Sequence, residues 1–191
     1  MPDPLPTIVA LIGPRCSGKT SVGRELSRML RCPFVDLDDE IAAAHAADRG
    51  LARVPAVGEV LVEVGEPAFR ELEERVLRER VGKGGPVVIA CGGGAVERET
   101  SRALLAGRAT CVWLRVSATE LARRMRADPT PRPSLTGGDP VEEIATVLSR
   151  REPLYAEIAA ITVDGRGLGV EEVAAEVASR LGKGGLRGCR G

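Results

Sequence analysis

Neither asparagine nor glutamine occurs anywhere in the 191 residues. A GTPase of the common type reads guanine through an Asn-Lys-x-Asp motif, so that class is excluded at once. Histidine occurs once, as His45, and none of the five cysteines (Cys16, Cys32, Cys91, Cys111 and Cys189) forms a C-x-x-C pair. Soft ligands are too few for a structural zinc site. Aromatics are also scarce, with Phe34, Phe69, Trp113 and Tyr155 the only ones, so a platform for stacking single-stranded bases is missing. Lys+Arg and Asp+Glu both number 27. The resulting zero net charge supplies no field that would draw the chain to nucleic acid or to an anionic membrane. No apolar run approaches the ~18 residues of a transmembrane span. The N-terminus shows no basic stretch leading into an apolar one, as a signal peptide would. The expected location is the cytoplasm.

What is present is organised around one motif. The apolar run Thr7–Ile12 leads directly into Gly13-Pro14-Arg15-Cys16-Ser17-Gly18-Lys19-Thr20, which is G-x-x-x-x-G-K-S/T in the strand–turn–helix context it requires. Successive N–H groups of such a loop form an anion nest, and the helix adds its positive end. The loop residues Gly13, Arg15, Cys16, Ser17, Gly18, Lys19, Thr20 and Ser21 are the candidate nucleotide contacts. Lys19 can reach the β- and γ-phosphates and the Thr20 hydroxyl can ligate Mg²⁺. An ordinary glycine-rich turn would explain Gly13 and Gly18, but not Lys-Thr at the helix start.

Hydrophobic residues make up 43% of the chain, enough for a full core. Five β-rich runs, Thr7–Ile12, Pro33–Asp38, Val87–Cys91, Thr110–Val116 and Ile161–Asp164, alternate with helical patterns over Ser21–Leu30, Phe69–Val81, Val141–Arg150 and Val170–Leu181. Continuous apolar strands with helical crossovers predict an α/β fold, a parallel sheet covered on both faces. Its ligands belong at the carboxyl edge of the strands. Three motifs end strands there: the P-loop, Asp36 with Asp38, and Gly92-Gly93-Gly94. Read as strand residues two apart, Asp36 and Asp38 point to the same face, one suited to orient Mg²⁺ and the other to accept a proton from an attacking hydroxyl. The three glycines admit a ligand close to the backbone. Two segments read as inserts: Ala42–Gly58, and the proline-rich Ala127–Pro140, which suits a hinged lid. Arg70 and Arg151 sit among glutamates, where ordinary i,i+3 or i,i+4 pairing explains them equally well.

Taken together, these pieces resemble the shikimate kinases, small P-loop enzymes of the nucleoside monophosphate kinase type. The resemblance runs from about Ile8 to Leu181. It rests on Phe-Val-Asp-Leu-Asp (34–38), Gly-Glu-Pro-Ala-Phe-Arg-Glu-Leu-Glu (65–73), Gly-Gly-Gly-Ala-Val (92–96), Arg-Pro-Ser-Leu (132–135) and Arg-Glu-Pro-Leu-Tyr (151–155). It implies a three-layer α/β/α fold with a five-stranded parallel sheet, ATP and Mg²⁺ as cofactors, and shikimate as the small-molecule substrate of a monomeric chain. By the same resemblance, Lys19 binds phosphate, Thr20 and Asp36 hold the metal, and Asp38 activates the acceptor hydroxyl. Arg70 and Arg151 clamp the substrate carboxylate, a task for the planar guanidinium fork. Gly92, Gly93 and Gly94 cradle the ring, Arg132 reaches the transferred phosphate from the lid, and Arg124 stacks on adenine. The implied layout is one kinase domain over residues 1–181, with a substrate-binding insert at about 39–75, a lid at about 126–140, and a disordered tail over 182–191.

The chain departs from the family pattern at three places. The segment between Asp38 and Gly65 is longer, Leu61 stands where an aromatic residue is usual, and Ser134 replaces the first leucine of the usual Arg-Pro-Leu-Leu. Alternative substrates are therefore a related polyhydroxylated cyclic acid, a cyclitol or a gluconate-like compound. A nucleotide-binding module without turnover is the non-enzymatic alternative.

Overall fold

The structure, a computed structural model, describes residues 8–127 and 143–183. Five strands, β1 (Ile8–Ile12), β2 (Phe34–Asp36), β3 (Val87–Ala90), β4 (Thr110–Arg115) and β5 (Ile161–Asp164), form one sheet in the order β2-β3-β1-β4-β5. Every pairing is parallel. The helices are α1 (Lys19–Leu30), α2 (Leu37–Arg49), α3 (Val57–Val64), α4 (Glu66–Gly82), α5 (Glu99–Arg108), α6 (Ala118–Ala127), α7 (Ile144–Ile158) and α8 (Val170–Lys183). All five expected strands are present, and the expected three-layer α/β/α architecture is the observed one.

Strand β1 shows why the sheet is covered twice. Ile8, Ala10 and Ile12 face a core built with Ile41 of α2, Val60 of α3, Leu77 of α4 and Leu105 of α5. Val9 and Leu11 face the opposite core, with Leu26 of α1 and Val177 of α8. Alternate side chains leave opposite faces of a strand, so a strand buried on both sides must be apolar throughout. Each side chain of this size contributes about 1.5–3 kcal/mol when fully buried. One contact in the second core leaves no room for a side chain unless a neighbour shifts. A Cβ on Gly23 of α1 would lie 2.5 Å from Phe34 Cε2 and 3.2 Å from Leu11 Cδ1.

Several expected boundaries move, each for a physical reason. Strand β2 stops at Asp36, so Asp36 and Asp38 do not share a strand face as the sequence pattern suggests. Asp36 instead caps α2: its Oδ1 accepts the backbone N–H of Asp38 at 3.1 Å, and Asp38, Asp39 and Glu40 fill the first helical turn, where carboxylates are favoured. The Ala-rich stretch from Ala42 is helical to Arg49, because Leu37, Ile41, Ala42, His45 and Ala46 bury one face. Gly50, at φ 63°, ends it. Helix α3 was not anticipated; Glu59 holds its first turn by accepting the Ala56 N–H at 2.8 Å. Helix α4 starts at Glu66 rather than Phe69, with Pro67 in its first turn. Helix α7 runs through Pro153 to Ile158, past the expected end at Arg150. An internal proline costs about 3 kcal/mol, and burial of Leu148, Arg151, Tyr155 and Ile158 on this helix outweighs it. Helix α8 extends to Lys183, so the first two residues of the expected tail are helical. The rest of that tail, and most of the expected lid including Arg132 and Ser134, lie outside the described residues.

Candidate active site

The ends of β1, β2 and β3 open on one cavity of about 600 Å³. Its lining includes Arg15, Cys16, Gly18, Lys19, Thr20 and Ser21 together with Asp36, Asp38, Arg70, Arg151 and Gly92 to Gly94. These candidates converge from five separate stretches of chain, whereas Gly13, Ser17 and Arg124 are not in this lining and Arg132 lies outside the described residues.

The P-loop takes its shape from positive φ angles at Gly13 (141°), Cys16 (59°) and Gly18 (93°). A Cβ on Gly13 would meet the Leu114 carbonyl oxygen at 2.8 Å, so only glycine lets the loop pass the end of β4. Lys19 Nζ donates to the carbonyl oxygens of Gly13 at 3.0 Å and Pro14 at 2.7 Å. Burial lowers the Lys19 pKa, while Asp38, Cys91 and Asp36 oppose the shift. Thr20 Oγ1 donates to Asp36 Oδ2 at 2.7 Å. Hydroxyl and carboxylate oxygens are the hard donors that Mg²⁺ prefers, and this ion keeps several non-protein ligands. The pair suits it, and no cluster of three or more His, Cys, Asp or Glu able to hold a metal occurs among the described residues.

Asp38 stands in the first turn of α2. Burial raises its pKa and so does the Asp36 carboxylate, against the pull of Lys19 and Arg15. A carboxylate held so is a better proton acceptor than an exposed one.

The glycine run does something the sequence reading did not anticipate. A Cβ on Gly92 would lie 2.7 Å from Glu73 Oε1 and 2.9 Å from Asp38 Oδ1; one on Gly93 would lie 3.2 Å from the Arg15 nitrogen; one on Gly94 would overlap the Arg70 guanidinium. The expected cradle for a ligand is also a passage for the protein's own functional groups. Tyr155, fully buried, donates its hydroxyl to the Gly93 carbonyl at 2.6 Å.

Arg70 and Arg151 are brought together from α4 and α7. Arg70 donates to Glu73 at 2.8 Å and Glu66 at 3.2 Å, and its Nε lies 3.3 Å from Glu97. Arg151 is 2% exposed, and its Nε donates to Glu97 at 2.8 Å. Its Nη2 is buried without a hydrogen-bond partner. Local pairing is therefore real for Arg70, yet it does not keep the residue at the surface. Glu73 and Glu97 were missed as site residues. Glu73 looks like any helical acid three residues after an arginine, and its 3% exposure is the signal that sequence lacks.

A second hollow of about 190 Å³ adjoins the P-loop, lined by Ser17, Gly18, Arg124, Val163, Leu168 and Val173 among others. Arg124 reaches it from α6, bonded to Glu120 at 2.7 Å and to the Cys16 carbonyl at 3.3 Å. The stretch after Asp38 also helps to form the main cavity, through Ala56, Val57, Gly58 and Leu61.

Comparison with known proteins decides the lineage. The Shikimate kinase family model matches residues 15–182. The chain belongs to the shikimate kinase family. It is similar to the shikimate kinase of Nitrobacter winogradskyi, 40% identical over 96% of this chain and 79% of that one. It is also similar to the shikimate kinase of Corynebacterium efficiens, 39% identical over 91% and 96%. Among solved structures, shikimate kinase from Acinetobacter baumannii in complex with shikimate superposes with a TM-score of 0.82 at 29% identity, covering 97% of each chain. The chain is thus a kinase of the shikimate-phosphorylating class, with ATP as the family's phosphate donor. No helix among the described residues is long and apolar enough to cross a membrane.

Proposed function

We propose that this kinase transfers the γ-phosphoryl group of ATP to the 3-hydroxyl of shikimate in the cavity above β1–β3, and that Asp38 takes the proton from that hydroxyl. The observation that carries this reading is the sharing of one cavity by Lys19, Asp38, Arg70 and Arg151. As the substrate oxygen attacks phosphorus, the O–H proton passes to the Asp38 carboxylate and the bond to the ADP oxygen breaks. Lys19 and the P-loop N–H groups stabilise charge on the phosphates. Arg70 and Arg151 hold the substrate carboxylate, converting position into rate. Thr20 and Asp36 would hold Mg²⁺, which supplies charge neutralisation on the β- and γ-phosphates. The hollow beside Arg124 receives adenine, and Arg132 contacts the transferred phosphate. Water is kept from the reaction by the segment over 126–140, since an open site would spend ATP in hydrolysis. The chain works as a monomer in the cytoplasm.

The test is steady-state ADP release with shikimate as the variable substrate and gluconate and neutral cyclitols in parallel. Saturable release with shikimate alone, and a fall in kcat of about 10²–10⁴-fold in Asp38→Asn with both substrates still bound, is the expected result. Release driven equally by gluconate, or a full kcat in the variant, overturns it.

A further inference from the structure

Glu97 follows the glycine run, in the turn that leads to α5, and its backbone N–H donates to the Gly94 carbonyl at 2.9 Å. Its carboxylate joins two helices. Oε1 accepts from Arg151 Nε at 2.8 Å and from Arg150 Nη2 at 2.8 Å; Oε2 lies 3.3 Å from Arg70 Nε. Arg70 and Arg151 line the cavity with Asp38, and Glu97 does not. It therefore sits behind the arginines, bonded to Arg151 Nε and within ion-pair reach of Arg70 Nε, which makes no hydrogen bond, and leaves the buried Arg151 Nη2 without a partner.

We propose that Glu97 is a positioning residue for substrate-carboxylate recognition: it fixes the Arg151 guanidinium plane through a hydrogen bond to Nε and holds Arg70 beside it by charge. This inference rests on the carboxylate clamp proposed above. Three arginines here (Arg70, Arg150 and Arg151) face three glutamates (Glu66, Glu73 and Glu97), so the surroundings of the clamp carry little net positive charge. Its grip on an incoming anion then depends on where the donors point, since bidentate recognition is a matter of geometry. Burial pushes the Glu97 carboxyl up, but Arg151, Arg70 and Arg150 together hold it below the usual carboxylate range, so it stays an acceptor at neutral pH. A carboxylate competing with substrate would instead stand in the cavity wall.

The experiment compares Glu97→Ala, Glu97→Gln and Glu97→Asp with the parent in steady-state kinetics. Shikimate and ATP are varied separately, and shikimate carboxamide serves as an uncharged probe in binding assays. Glu97→Ala is expected to raise KM for shikimate about tenfold, the scale of a small misplacement of a binding group, with KM for ATP and kcat within about twofold. It is also expected to lose much of the parent's preference for the acid over the carboxamide. Glu97→Gln keeps one acceptor oxygen and is expected to fall between; if Glu97→Ala does not fold, Glu97→Gln and Glu97→Asp carry the same test. An unchanged or lowered KM for shikimate, or an equal rise in KM for ATP, overturns the proposal. A parent that fails to prefer the acid over the carboxamide removes the clamp itself. A parent that prefers it while every Glu97 variant keeps that preference removes only the role of Glu97.

Discussion

Tyr155 Oη donates to the Gly93 carbonyl oxygen at 2.6 Å, tying the last turn of α7 to the centre of the glycine run. The ring packs 5.8 Å from Trp113 of β4, centroid to centroid, and burial pushes the phenol pKa well above its ordinary value. The hydroxyl is therefore a permanent donor. Tyr155→Phe should leave the Gly93 carbonyl short of a partner, at a cost of about 1–3 kcal/mol. Thermal denaturation reads this as a lowered Tm, and KM for shikimate should rise because the loop beside Arg70 is released. An unchanged Tm would mean that the carbonyl finds another donor.

Arg70 and Glu73 form a pair with side chains 11% and 4% exposed. Glu73 has its pKa raised by burial, and Arg70 opposes that shift. Arg70→Leu removes the opposing charge. Breaking a buried pair from one side costs about 3–5 kcal/mol. A carboxyl whose pKa is higher folded than unfolded favours the native state most below its unfolded pKa, and that contribution is lost as pH rises through the folded pKa. The deficit of Arg70→Leu should thus widen from the ordinary carboxylate range toward neutrality. Adding Glu73→Gln should narrow that pH dependence, leaving the smaller part that comes from Glu97. Denaturant titrations at acid and neutral pH provide the check, and a deficit that narrows with rising pH would reverse the assignment.

Asp36 has two duties that substitution can separate. Asp36→Asn keeps an oxygen to cap α2 but loses the charge beside Thr20. It should raise the Mg²⁺ concentration needed for half-maximal rate while leaving Tm nearly unchanged. Asp36→Ala should add a loss of about 1 kcal/mol from the missing cap. Metal titration of the rate and a melting curve separate the two effects. Equal Mg²⁺ dependence in both variants and the parent would remove Asp36 from the metal site.

Gly23→Ala serves as a control away from the cavity. Alanine gains about 1 kcal/mol of helix propensity over glycine, yet its methyl would press on the Phe34 ring, and overpacking costs about 1–3 kcal/mol. The expected outcome is a lower Tm with unchanged KM values. Phe34→Leu in the same chain should recover part of the loss, and a stabilised single variant would show that the ring has room to move.

How much of this was legible in the residues depended on the kind of signal. The P-loop was fully readable because its chemistry demands fixed spacing, and the structure places Lys19 and Thr20 where that spacing puts them. Strands were readable because burial on both faces forces unbroken apolar runs. Asp38 was identified as a site residue but assigned to the wrong element. An alternating pattern over Pro33–Asp38 looks like strand, and only the capping bond from Asp36 shows that a helix has begun. Arg70 and Arg151 stood out through family resemblance rather than spacing. Glu73 and Tyr155 lay inside the family motifs but drew no role from them, and Glu97 carried no mark at all, since burial and the contacts of Tyr155 with Gly93 and of Glu97 with Arg151 appear only in the fold. The hollow beside Arg124 was equally invisible, because Val163, Leu168 and Val173 on its wall look like ordinary core and turn residues.

The crossing of Arg70 over Gly94 makes two positions interdependent. No side chain fits at 94 while the guanidinium lies across it, whereas a shorter residue at 70 would leave room for one. Any route toward an uncharged substrate has a preferred order: the arginine must be given up first, and only then does the neighbouring backbone become open to change. Taken in reverse, the first step pushes the arginine from its place before a replacement pocket exists.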